Sequence, residues 1–270
     1  MAKNQWVFSF NAVPKIDKNL LGGKGAGLAE MTKIGLPVPP GFVITTNACK
    51  AYQKKKQLPP GLWQEVLKEL GKLEKRTGKK FNDPKNPLLV SVRSGAPVSM
   101  PGMMDTVLNL GLNDETTKAL AIKTKNPRFA ADSYRRFIQM FANIVKGVPL
   151  KKFEDVLEQE RERHGFKNDT EFSAQDLEKI IQRYQQIYQE ETGDKFPQDP
   201  LTQLQEAIKA VFNSWENKRA IDYRNFNKIP HHLGTAVNVQ AMVFGNMGEK
   251  SATGVAFTRN PSTGKKELYG

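Results

Sequence analysis

A glycine-rich segment near the N-terminus, residues 20–27 (LLGGKGAG), leads directly into a helical pattern. Glycines at the start of a helix let backbone N–H groups approach a phosphate, and the helix dipole favours its negative charge. Lys24 would add a positive charge at the same place. The segment fits neither GxxxxGK[ST] nor GxGxxG. It predicts a phosphate site at Lys24, and the alternative is a glycine-rich helix start with an exposed lysine.

A second candidate for phosphate chemistry is Arg93, which follows the apolar, strand-like run 88–92 (LLVSV). An arginine at the carboxyl end of a buried strand can reach into a cleft, and its planar guanidinium suits phosphate oxygens. The alternative is an arginine that pairs with a neighbouring carboxylate.

The loop over residues 99–106 (SMPGMMDT) is unusually rich in methionine for a surface segment. Its Pro-Gly turn at Gly102 would expose backbone groups, and Met104 would pack under something flat or mobile. Methionines also fill gaps in hydrophobic cores, so a core-filling loop is the alternative.

A period-two strand pattern spans residues 237–243 (VNVQAMV). The side chains of Gln240 and Met242 alternate with those of the valines and therefore share the other face of the strand. This face could line an adenine pocket. Residues 254–258 and a third run from 267 predict two further strands, which would complete a β-meander. An ordinary half-exposed sheet is the alternative.

The elements that position these motifs change along the chain. Residues 1–112 alternate between strand and helix patterns, residues 113–198 are helical throughout, and residues 199–270 return to one helix and then strands. We expect three subdomains with these bounds, the third packing back on the first. We also expect Lys24, Arg93 and the Gly102 loop to share one cleft.

Three helix starts are marked by local signals. Asn126 and Asp199 each precede a proline, whose missing N–H costs nothing at the first helical position. Ser173 is followed three residues later by Asp176, as in a capping box. These signals predict helices beginning near residues 127, 174 and 200.

The composition is that of a globular protein, with 39% hydrophobic and 26% charged residues. No apolar run is long enough for a membrane span, and the N-terminus lacks the pattern of a secretory signal. Cys49 is alone, which excludes an internal disulfide, and the three histidines lack metal-ligand or triad spacing. A cytoplasmic location without a membrane partner is expected.

The net charge of +13 is unevenly distributed. Residues 151–200 carry 8 Lys and Arg against 13 Asp and Glu, so the other 220 residues carry +18. A basic surface can bind nucleic acid or small phosphorylated molecules. No nucleic-acid module accompanies it, so no nucleic acid is expected as partner. A solvated lysine-rich surface explains part of the charge, and a phosphate-handling cleft would explain more.

Together and in this order, the motifs resemble the N-terminal region of the pyruvate, phosphate dikinase family. Phosphoenolpyruvate synthase shares the GGK, VRS and GVAFT themes, whereas the block over residues 99–114 is particular to the dikinase. The matching segments run almost from end to end: GGKGAGLAEM (22–31), LPVPPGF (36–42), SVRSGA (91–96), SMPGMMDTVLNLGLND (99–114), NPRFAADSYRRFIQMF (126–141), AVNVQAMVFGN (236–246) and TGVAFTRNPSTG (253–264).

The resemblance implies an α+β fold, an ATP-grasp-type nucleotide-binding domain with a helical insert. It implies that Lys24 and Arg93 contact the ATP phosphates and act in catalysis. The loop of Gly102 and Met104 would contact the phosphates together with Thr253. The remaining implied ATP ligands line the adenine: Gln240, Met242 and Val243.

Members of that family are phosphotransferases. They pass the β-phosphoryl group of ATP to a histidine on a swivelling domain, using Mg²⁺ and inorganic phosphate, and then to pyruvate. The resemblance therefore implies ATP and phosphate as ligands, a phosphohistidine domain as partner, and a homodimer for the full-length enzyme.

Two departures from the family pattern accompany the resemblance. The family's acidic Mg²⁺ ligands, phosphohistidine and pyruvate domain would follow Gly270, so this chain alone is expected to be inactive. Pro97 stands where relatives usually carry a second arginine, which would weaken phosphate binding. A non-catalytic nucleotide-binding paralogue and a fragment of phosphoenolpyruvate synthase are the alternatives.

Overall fold

Residues 5–270 are described by a computed structural model. Their strands form one antiparallel sheet in the order β1-β2-β5-β3-β4. The last strand in sequence, β5, lies between β2 and β3, so the chain must return from its helical middle to complete the sheet. The strands are β1 (Val7–Ser9), β2 (Gly41–Ile44), β3 (Val90–Gly95), β4 (Thr106–Leu110) and β5 (Ala236–Ala241).

Nine α-helices accompany the sheet within this described range. They are α1 (Lys18–Lys33), α2 (Thr46–Lys55), α3 (Leu62–Thr77), α4 (Asp114–Thr124), α5 (Pro127–Lys146), α6 (Leu150–His164), α7 (Ala174–Thr192), α8 (Pro200–Ser214) and α9 (Lys218–Phe226).

One face of the sheet builds the main hydrophobic core. Alternate strand residues such as Phe42, Val92 and Val239 are fully buried there against helices on that side. The main core extends without a break into α5 and α7, where phenylalanine and tyrosine rings pack edge to face. Apolar burial of this extent is the dominant favourable term in folding.

Helix α1 packs on the opposite face. Val43 and Ala236, which alternate with the main-core positions of β2 and β5, pack with Leu21 and Ala26 of α1 in a small second core. Because successive strand residues point to opposite faces, the even and odd positions of β5 serve different layers. Asn238 therefore lies on the α1 side.

The predicted helix starts are confirmed. The Asn126 side chain accepts from Phe129 N–H, and Asp199 accepts from the first turn of α8. Ser173 and Asp176 form the predicted capping box of α7. Residues 114–192 hold four α-helices and one short 3₁₀ turn, and the division of the chain into three subdomains stays a prediction.

The predicted β-meander after β5 is wrong in its details. Residues 254–258 and 267–269 form a single antiparallel bridge, Phe257 with Tyr269, and the backbone is otherwise irregular. Val255 and Leu268 are largely exposed at 71% and 83%. A strand pair without a third strand or a helix against its apolar side chains is marginally stable in water, which explains the difference.

The α+β class predicted from the sequence is confirmed by this mixture of helices and one antiparallel sheet. None of the described helices combines the length and apolar character needed to cross a bilayer.

A glycine pair on α1 gives a direct test of the fold. Gly22 has φ 69° and ψ 165°, a region essentially restricted to glycine, and a Cβ there would lie 1.7 Å from the Gly95 carbonyl oxygen. Gly27 is helical, and a Cβ there would meet nothing within 4 Å. We expect Gly22→Ala to lower the free energy of unfolding by about 3 kcal/mol or more, measured by urea denaturation.

The matched control is Gly27→Ala, which should raise that free energy by about 0.5–1 kcal/mol because alanine is the better helix former. Similar effects of the two substitutions would contradict the close approach of α1 to β3.

Candidate functional site

A cavity of about 560 Å³ opens where α1, the end of β3 and the loop after β3 meet. Its walls combine backbone from glycine-rich segments with small and apolar side chains. The lining residues are Gly23, Lys24, Ser94, Gly95, Ala96, Val98, Ser99, Met100, Pro101, Gly102, Met104 and Thr106. Three residues predicted from two separate motifs thus line one cavity: Lys24 from the glycine-rich segment, and Gly102 and Met104 from the methionine loop.

The position of Lys24 in the cavity wall is determined by the break of α1 at Gly22. The non-helical conformation of Gly22 lets the chain pass over the Gly95 carbonyl, and Gly23 N–H then donates to the Ala96 carbonyl at 2.8 Å. Lys24 therefore follows a local helix start directly beside β3. Its Nζ donates to the Ser94 carbonyl at 3.0 Å, so Lys24 is not a freely solvated lysine.

The surroundings of Lys24 disfavour its charged form. Burial and, secondarily, the nearby Arg93 guanidinium lower the pKa of Lys24 to about 8. Burial disfavours a charged amine, and a like charge nearby disfavours it further. An anion bound between the two side chains would reverse both effects.

Arg93 lies beside this cavity without being one of its lining residues. The alternative of a carboxylate partner does not apply, because Arg93 forms no ion pair within residues 5–270. Its Nε is buried and has no hydrogen-bond partner among the described residues. A buried donor of this kind costs free energy unless a further group accepts from it.

Asn238 is a candidate residue that the motifs did not single out. It is fully buried on β5, where Gly25 and Gly95 leave room for its amide. Its Oδ1 has no hydrogen-bond partner in the described part of the chain, and its Nδ2 is 3.5 Å from the Arg93 carbonyl oxygen. The period-two pattern puts Asn238 on the same strand face as Gln240, and this is the signal in the sequence that could have identified it.

The methionine loop is anchored by its apolar side chains, as in the core-filling alternative. Met100 is 6% exposed and belongs to a small cluster with Trp215 and Ala220, and Met104 packs against this cluster as well as lining the cavity. Gly102, with φ 72°, makes the turn that leaves its backbone open.

Polar contacts from α8 and α9 fix the far end of the same loop. Asp105 pairs with Arg219 and accepts from Asn217 Nδ2 at 3.3 Å, while Arg219 Nε donates to the Met103 carbonyl at 3.1 Å. Burial raises the pKa of Asp105 above its usual value, and the Arg219 guanidinium opposes this shift. The cavity wall therefore depends on residues more than a hundred positions away in sequence.

The other predicted residues lie elsewhere. Gln240 is buried on β5, and its Nε2 donates to the Pro39 carbonyl at 3.0 Å. Met242 packs against the main core, whereas Val243 is 72% exposed. Thr253 lies against Gly245 in the segment after β5. None of the four lines the Lys24 cavity, and their assignment to a nucleotide stays a prediction.

Pro97, where the family resemblance implies a second arginine, lies at the margin of the cavity. Its carbonyl oxygen would be 3.6 Å from a Cβ at Gly23. The second arginine that the resemblance implies at this position would lie close to Lys24.

The donor set of this cavity suits an anion better than a metal ion. Hard cations such as Mg²⁺ require oxygen ligands, mainly carboxylates. Among the described residues, no three His, Cys, Asp or Glu side chains come together in a way that could hold a metal. Lys24, with Arg93 beside the cavity, favours phosphate or carboxylate oxygens.

Comparison with known proteins gives one consistent result. The sequence profile described as "Pyruvate phosphate dikinase, AMP/ATP-binding domain" matches residues 18–66 and 54–269. The chain is 58% identical over 94% of its length to pyruvate, phosphate dikinase 1 (chloroplastic) of Arabidopsis thaliana. It is 57% and 54% identical, over its whole length, to the pyruvate, phosphate dikinases of Rhizobium meliloti (strain 1021) and Clostridium symbiosum.

These matches cover 26%, 30% and 31% of the three relatives. The chain thus spans about three tenths of the length of the curated relatives that it matches. The aligned part contains every motif described above, including the glycine-rich segment and the methionine loop. The chain belongs to the pyruvate phosphate dikinase AMP/ATP-binding domain family.

Proposed function

We propose that this chain binds ATP, with the phosphates in the cavity lined by Lys24 and the Gly102 loop. The observation that carries the proposal is a pair of neighbouring cations, Lys24 and Arg93, that have no carboxylate partner within residues 5–270 and lie beside glycine backbone. Such an arrangement is costly when empty and favourable when an anion neutralises it. The family description names AMP and ATP as its ligands.

We propose a direction for the bound nucleotide from the pairing of β3 with β5. β3 and β5 run antiparallel from the Gly95–Ala236 pair beside Lys24 to the Val90–Ala241 pair at the other end. ATP that reaches from Lys24 toward the other end of β5 would place its base near Gln240, Met242 and Val243, with Thr253 nearby. An ATP-grasp-type cleft that extends from Lys24 to the Gln240 end of β5 belongs to this proposal.

The activity of a longer enzyme that contains this chain is proposed from the relatives. As part of a longer enzyme, the chain would supply the nucleotide site for pyruvate, phosphate dikinase: ATP, pyruvate and phosphate to AMP, phosphoenolpyruvate and diphosphate. Mg²⁺, a phosphohistidine domain, dimer formation and a cytoplasmic location belong to this proposal. Lys24 and Arg93 would act by neutralising charge and positioning the phosphates, the effects that dominate phosphoryl transfer.

Binding without turnover is the second candidate for this chain alone. It is favoured by the lack of a metal-binding carboxylate cluster in residues 5–270. Phosphoryl transfer depends on metal ions that bridge phosphate oxygens, whereas charge neutralisation by Lys24 and Arg93 does not.

The first prediction concerns Lys24. We expect Lys24→Met to weaken ATP binding about tenfold or more by isothermal titration, because a charge-assisted hydrogen bond is lost. The variant should be no less stable, since the folded protein disfavours the charged lysine. The matched control is Lys33→Met at the exposed end of α1, which should bind like the parent. A stable Lys24→Met protein with parental affinity would contradict the proposal.

The second prediction concerns pH. With a pKa of about 8, Lys24 loses its proton as pH rises through that value, whereas phosphate is already ionised above about pH 6. ATP affinity should therefore fall between about pH 7 and pH 9.5, and binding near pH 8 should take up protons, because the bound anion raises the pKa of Lys24.

Titrations in buffers with different ionisation enthalpies measure this proton uptake. Lys24→Met should abolish both the uptake and the pH dependence over this range, because the titrating ammonium group is then absent. Proton uptake that persists in Lys24→Met would assign the titration to another group.

The third prediction separates binding from turnover. The 270-residue chain should bind ATP in the presence of a chelator at least as tightly as Mg·ATP, because its site carries cations and no carboxylate cluster. It should release no phosphate above background in a radiolabel assay. Mg²⁺-dependent hydrolysis that disappears in Lys24→Met would overturn this expectation.

A further inference from the structure

A second cavity, of about 440 Å³, lies at the opposite end of the sheet from Lys24. It is enclosed by the C-terminal end of α4, the start of β3 and the segment after β5. Its apolar walls include Leu89, Leu120, Met242, Phe244 and Met247, and two lysines, Lys79 and Lys123, also line it. We call this space the basic-apolar cavity, and it shares no lining residue with the Lys24 cavity.

The apolar walls are fixed by specific contacts. Met242 N–H donates to the Leu89 carbonyl at 2.9 Å, which continues the β5–β3 pairing by one residue. Phe244 packs edge to face on Phe129 with 5.1 Å between ring centroids. Asn126 Nδ2 donates to the Met247 carbonyl at 2.9 Å. The segment after β5 is therefore tied to both the sheet and α5.

The two lysines have no acidic partner in the described part of the chain. Neither Lys79 nor Lys123 forms an ion pair, and the Lys123 ammonium donates only to Asn86 Oδ1. Burial and the charge of Lys123 lower the pKa of Lys79 below its usual value. Two cations at one apolar cavity, without a carboxylate, leave an electrostatic cost that an anion would remove.

We propose that the basic-apolar cavity binds an organic acid with an aromatic body, its carboxylate between Lys79 and Lys123 and its ring among Met242, Phe244 and Met247. Methionine sulfur and aromatic edges make favourable contacts with a ring. A volume of about 440 Å³ falls in the range of small-molecule pockets, which combine mostly apolar walls with a few polar groups. This inference does not rest on ATP binding at Lys24.

The probe is 4-phenylbutyrate, titrated into the whole 270-residue chain by isothermal calorimetry, beside the uncharged analogue 4-phenylbutanamide. The acid should bind at one saturable site, and the amide at least about tenfold more weakly. The acid and the amide are compared on the unaltered protein, so this arm does not depend on any variant folding. Absence of saturable binding by the acid, or equal affinity for the amide, would overturn the proposal.

Variants then locate the site. The double change Lys79→Met with Lys123→Met should weaken binding of the acid about tenfold, whereas Lys118→Met, on α4 but outside the cavity, should leave it within about twofold. An equal loss of affinity in the double variant and in Lys118→Met would show nonspecific attraction of the acid to a basic surface. Lys24→Met should retain binding of the acid, which separates this site from the proposed phosphate site.

ATP itself is the remaining rival occupant, because Met242 is also predicted to line adenine. Titrating the acid into protein saturated with ATP tests this directly. Unchanged affinity supports an independent site. Competitive displacement would make the cavity the base end of the nucleotide cleft and would overturn the proposal.

Discussion

The approach of Gly22 to the Gly95 carbonyl is the steric constraint on which the candidate site depends. No side chain can stand at position 22, and Gly25 likewise leaves no room for a Cβ beside Asn238 and Val43. These contacts bring the backbone of α1 down onto β3 and β5. They interrupt the helix at Gly22 and place Lys24 over the Ser94 carbonyl. The glycine-rich motif is thus a packing requirement first, and the proposed phosphate site follows from the geometry that it imposes.

The same close packing creates the charge problem at the site. Drawing Lys24 against the sheet removes water from its ammonium group and brings it near Arg93, whose Nε has no partner. A fold selected only for stability would place a carboxylate there or replace one cation by an apolar side chain. The unpaired arrangement costs stability in the free protein and favours an anionic ligand, as expected of sites that are arranged before their ligand arrives.

Local physical signals explain what could be predicted from the sequence. The helix starts at Asn126, Ser173 and Asp199 depend on neighbouring residues alone, and the strand before Arg93 depends on the short apolar run 88–92. The partners of Asp105 could not be predicted, since Arg219 meets it only after α8 and α9 have folded back. The strands expected after β5 failed for a related reason: alternation predicts a strand only where another surface buries one face.

Both proposed sites depend on the position of β5 in the sheet. Because β5 lies between β2 and β3, it supplies Asn238 to the Lys24 side and leads through Met242 into the basic-apolar cavity. The two cavities lie at opposite ends of the same pair of strands, β3 and β5. A change in register of β5 by one residue would exchange Asn238 for Val237 or Val239 on the α1 side. This shift would bury a valine side chain against Gly25 and would point the Asn238 amide into the main core. The hydrophobic alternation of one strand therefore sets the geometry of both proposed sites.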